Sequence, residues 1–92
     1  MNKTEAKAIL AEQLDRYRSK SYRELMILVG DVDAYEIPGP SGRFYQVEIL
    51  VMWDHKPRGN LRVGGAIDEG GWSAFCPLSD DFIVAPKNRI SN

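Results

Sequence analysis

Hydrophobic positions recur at period two through residues 44–53, FYQVEILVMW. Tyr45, Val47, Ile49, Val51 and Trp53 form a wholly apolar row, and Phe44, Gln46, Glu48, Leu50 and Met52 form a mixed one. The run holds no Gly or Pro and is rich in β-branched and aromatic residues, which suit a pleated, half-buried surface. It predicts a central strand over residues 44–54 with its apolar row against a core. Earlier in the chain the period is helical. Ala6, Ile9, Leu10, Gln13, Leu14 and Tyr17 follow the i, i+3, i+4, i+7 spacing and predict an amphipathic helix over residues 4–19, with either Asn2 or Thr4 as its cap.

Ser21 and Glu24, three apart and just before the apolar run LMILV, form a capping-box pattern, and Gly30 follows the run. Together they predict a second helix over residues 22–29. From Asp31 onward short segments alternate with turn residues, as in an antiparallel meander. The strands fall at 32–37, 44–54, 60–68, 72–76 and 82–85. They are separated by PGPSG (38–42), HKPRG (55–59), the Glu69-Gly70-Gly71 turn, and Pro77 with the Ser79-Asp80-Asp81 cluster.

A loop symmetric about Pro57 pairs Trp53 with Leu61, Val51 with Val63, Ile49 with Gly65 and Val47 with Ile67, so both strands turn their apolar residues to one face. A one-residue slip would invert each strand. A two-residue Glu69-Gly70 turn would pair Ile67 with Trp72 and place Phe75 opposite Gly64, with Cys76 toward the core. Gly64 and Gly65 leave room for a large neighbour, such as a tryptophan, or mark a bulge. The first hairpin leaves open which of Ala34 and Tyr35 points inward. Helices with apolar stripes and a sheet with one apolar face imply a single α+β domain, two N-terminal helices on one face of an antiparallel meander of four to five strands.

Ninety-two residues suffice for one domain with a core. Twelve basic against thirteen acidic residues remove the footprint of a general nucleic-acid or anionic-membrane binder. No apolar run approaches the ~20 residues of a membrane span. The N-terminus lacks the apolar core of a signal peptide. A lone cysteine, Cys76, forms no intrachain disulfide and suits a reducing cytoplasm.

No catalytic, cofactor or metal motif is present, so the chemistry rests on weaker features. His55 and Cys76 are single, and nothing in their surroundings makes them a nucleophilic pair. The carboxylate pairs Asp31/Asp33, Asp68/Glu69 and Asp80/Asp81 lie at strand ends and turns, where Asp bonds local amides. Gly64-Gly65 and Gly70-Gly71 lack the helix start of a phosphate loop. The run RYRSKSYR at residues 16–23 sets Tyr17 and Tyr22 among Arg16, Arg18, Lys20 and Arg23. That pattern suits nucleic acid, but it also sits where a helix C-terminus favours cations.

The outward sheet face, with Phe44, Glu48, Leu50, Met52, Arg62 and Phe75, is an apolar area rimmed by charge, the usual look of a partner site. The leading reading is therefore a small cytoplasmic non-enzymatic module working through an unidentified protein partner or a homodimer. One alternative is a small-ligand binder or enzyme using a cleft at Asp54, His55 and Arg58. The other is a weak nucleic-acid binder through residues 16–23.

The segments Pro40-Ser41-Gly42, Tyr45-Gln46-Val47-Glu48, Trp53-Asp54, Gly70-Gly71-Trp72 and Phe82-Ile83-Val84-Ala85-Pro86 resemble a family of short bacterial α+β proteins with no assigned function. The resemblance covers the C-terminal half and implies a bacterial origin; it transfers no site residue. The chain departs from it after Pro86, where KNRISN stands in place of further strand.

Overall fold

A computed structural model describes residues 1–71 and 76–86. Two helices, α1 (Lys3–Arg18) and α2 (Tyr22–Ile27), precede four strands: β1 (Val32–Pro38), β2 (Phe44–Trp53), β3 (Leu61–Asp68) and β4 (Leu78–Val84). The strands form one antiparallel meander in the order β1-β2-β3-β4. α1 lies along one face of the sheet, chiefly over β3 and β4, and α2 touches the same face at β3. The α+β architecture is the one the hydrophobic pattern predicts.

Asn2 caps α1, its Oδ1 accepting the Glu5 amide at 3.0 Å, which settles the choice against Thr4. At α2 the capping box is complete: the Glu24 amide donates to Ser21 Oγ at 3.1 Å, and the Ser21 amide donates to Glu24 Oε1 at 2.8 Å. α2 ends at Ile27, two residues earlier than the pattern implied, because Val29 forms a parallel bridge with Val51 of β2. Gly30, at φ +90°, donates its amide to the Val51 carbonyl and turns the chain into β1, so it is not the helix C′ residue.

The core joins the α1 stripe (Ala6, Ile9, Leu10, Leu14) and Leu25 of α2 to inward residues of the sheet. Tyr45, Val47, Ile49 and Val51 are at most 1% exposed, and Trp53 packs partly buried beside them. The β2–β3 register is the expected one throughout, including Trp53 with Leu61 and Val47 with Ile67. In the first hairpin the loop spans residues 39–43. Tyr35 therefore pairs with Val47 and turns inward, where its hydroxyl donates to the buried Gln13 Oε1 at 2.6 Å. Glu5 ties the start of α1 to that loop: its carboxylate accepts Tyr45 Oη at 2.6 Å, Ser41 Oγ at 2.7 Å and the Ser41 amide at 2.9 Å.

The last hairpin differs from expectation. Residues 72–75 of the anticipated strand 72–76, Trp72 and Phe75 among them, lie outside the described residues, as does the tail beyond Pro86. β3 pairs instead with β4, Ile67 facing Leu78, Gly65 facing Asp80 and Gly64 facing Asp81. The expected pairings of Ile67 with Trp72 and of Gly64 with Phe75 are thereby corrected. Ser79, Asp80 and Asp81 are not an interruption but the middle of an edge strand, where acids face solvent and discourage further pairing. Cys76 stands exposed before β4 rather than in the core. The space beside Gly65 is taken by α1: a Cβ there would meet Leu10 Cδ1 at 3.0 Å and Leu14 Cδ2 at 3.2 Å.

Candidate interaction surface

Period-two alternation that buries one row of β2 necessarily presents the other, and the registers carry that outer row across the sheet. Val32, Leu50, Gly64 and Asp81 lie in line across the four strands, followed by Ala34, Glu48, Ala66 and Ser79. On one side of these rows are Met52, Arg62 and Ile83; on the other are Glu36, Gln46 and Asp68, then Pro38 and Phe44. Five sequence-derived residues, Phe44, Glu48, Leu50, Met52 and Arg62, thus share one face. Val32, Ala66 and Ile83 join them. The open register of the first hairpin hid Val32, and the misassigned partner of β3 hid Ile83.

The face is shallowly hollowed. One depression of about 300 Å³ lies over Leu50, Met52, Gly64 and Ala66, and another of about 410 Å³ lies over Ala34, Glu48, Ala66 and Asp68. No atom of the described residues lies within 4 Å of where a Cβ on Gly64 would sit. Arg62 anchors the charged side. Its Nη2 meets Asp54 Oδ1 at 2.7 Å and its Nη1 meets Asp81 Oδ2 at 2.9 Å, joining the end of β2 to edge strand β4. Bonds from both carboxylates raise the Arg62 pKa, Asp54 being the larger cause. Glu36 accepts Gln46 Nε2 at 2.9 Å and Asp68 accepts the Gly70 amide at 2.6 Å. Glu48 makes no ion pair with a described residue.

The other sequence candidates are dispersed. Asp54 is engaged by Arg62, and His55 Nε2 stands 3.6 Å from Asp54 Oδ2 with 90% of its side chain in solvent. Arg58 is exposed, at φ +72° in the β2–β3 turn. These three border the turn between β2 and β3. In the basic run, Tyr17 Oη donates to Asp33 Oδ2 at 2.8 Å and Tyr22 Oη to the Gly59 carbonyl at 2.7 Å. Arg18 pairs with Asp15 and lies 4.3 Å over the Phe82 ring. Burial, then the bond to Asp33, pushes the Tyr17 pKa up to about 12. Both hydroxyls thus tie the run to the rest of the fold.

A larger recess of about 530 Å³ opens beside α1 at Ala8, Ile9, Ile37 and Pro40. Its bordering Glu5 is already saturated by Tyr45 and Ser41. Among the described residues no three His, Cys, Asp or Glu side chains are grouped to hold a metal ion, and no helix is long and apolar enough to cross a membrane. No family model, curated protein or solved structure matches the chain.

Proposed function

We propose that this protein is a non-enzymatic interaction module that engages a polypeptide through the outer face of its sheet. One observation carries the reading. Among the described residues the large exposed hydrophobics are Val32, Phe44 and Ile83 on this face and Met26 and Ile27 on α2, with Val32 58% and Phe44 56% exposed. Leu50 and Met52 lie half-buried between Val32 and Ile83, so that apolar area is contiguous, which scattered surface hydrophobics are not; Phe44 lies beyond the polar row Glu36, Gln46 and Asp68. The cytoplasm is the compartment we assign, supported by the single cysteine, and a bacterial source is supported by the resemblance of residues 40–86.

A photo-crosslinking residue placed at Glu48, and separately at Glu12 on the solvent side of α1, tests the reading in the cells that make the protein. A discrete adduct is expected from position 48 alone. An adduct of twice the chain mass would identify self-association as the form the contact takes. No adduct at 48, or equal adducts from both positions, rejects the reading.

A further inference from the structure

Resting on that reading, we infer that the occupant of the outer face is a cationic amphipathic helix of another polypeptide, not a second copy of this chain. Charge decides between the two. Among the described residues Glu36, Glu48, Asp68 and Asp81 share the face with one cation, Arg62, which is already clamped between Asp54 and Asp81. The chain as a whole is nearly balanced, and residues 3–27 carry six cations against four carboxylates, so the acidic surplus is local. Two copies packed face to face would bury Glu48 and Asp68 against their own likeness, and a desolvated carboxylate without a cation is strongly disfavoured. Lysines or arginines flanking an apolar stripe supply both requirements of the surface.

Backbone chemistry selects a helix. β2 and β3 are paired on both sides, so a segment lying on this face finds no main-chain partner and must satisfy its own amides internally. Relief agrees. On the inner face Gly65 lets Leu10 and Leu14 of α1 approach the sheet, and on the outer face Gly64 offers the same lowered floor, with no atom of the described residues within 4 Å of where its Cβ would sit. Helical neighbours at i, i+4 stand about 6 Å apart, comparable to the diagonal spacing of cross-strand side chains such as Glu48 and Asp68, about 7 Å.

The test is titration of the full chain with a leucine–lysine peptide of about 18 residues, long enough to hold a helix, and with its leucine–glutamate counterpart, followed by amide chemical shifts. The lysine peptide is expected to shift the amides of Leu50, Met52, Gly64 and Ala66. Its affinity should fall roughly tenfold between about 50 and 500 mM salt. The pair Glu48→Gln and Asp68→Asn should weaken it to a similar degree, whereas Glu12→Gln should not. Equal binding of the glutamate peptide, or shifts centred on α1, overturns the inference. A position-48 adduct with a second copy, or with a partner lacking a basic helix, overturns it while leaving the interaction reading intact; no adduct at 48 removes both.

Discussion

Gly64 and Gly65 are neighbours in β3 with opposite tolerance for a side chain. A methyl group on Gly65 would press Leu10 and Leu14 at 3.0–3.2 Å, so Gly65→Ala should lower stability by about 1–3 kcal/mol through overpacking. Gly64→Ala meets no atom of the described residues within 4 Å and should be neutral, or stabilising by about 0.4–1 kcal/mol through a less flexible unfolded chain. Urea midpoints of the two variants check the contrast; equal losses would mean that α1 does not rest on Gly65. The sequence shows that two small residues need a large neighbour but not which one, since a tryptophan and a helical leucine fill the same space. Glu5 was equally hidden, lying outside the α1 stripe with its partners, Tyr45 and Ser41, some forty residues away.

Among the elements, those whose two faces differ sharply in polarity were legible before any coordinates. β2 carries five inward apolar positions and β3 four inward apolar or small ones in phase with them, and only one register satisfies both. α2 was legible from its cap. Losing the hydroxyl in Ser21→Ala should cost about 0.5–2 kcal/mol, seen as faster amide exchange in residues 24–27 with β2 unchanged; matched exchange in wild type and variant would show the box to be idle. β4 was not legible. Asp80 and Asp81 are consecutive acids, and alternation fails when an edge strand carries polar residues on both faces. β3 ends at Asp68 and β4 begins only at Leu78, farther on than the two-residue turn that Glu69-Gly70 implies, so a register anchored on that turn placed Cys76 inward and the true β4 out of reach.

For the molecule as a whole, stability should fall at both ends of the pH scale. Bonds from Tyr45 and Ser41 lower the Glu5 pKa, bonds with Ser21 lower that of Glu24, and Arg43 lowers that of Glu69, each from an ordinary 4.5. Their stabilisation is complete above the unfolded value and is lost as pH drops through the folded ones. Tyr17 and Tyr45 run the other way. Burial, then a carboxylate neighbour, raises each to about 12, so their contribution holds below pH 10 and disappears on the way to 12. A denaturant midpoint followed across pH should show a plateau between these limits, and Tyr45→Phe should blunt the alkaline fall. The fold class followed from hydrophobic period alone, whereas function did not, because the face proposed for interaction carries no motif. The order in which the parts are made has its own consequence. The apolar stripe of α1 is synthesised before β3 and β4, the strands that it covers most. Until β4 has left the ribosome α1 has no finished bed, and its apolar stripe is exposed surface of the kind that holdase chaperones bind.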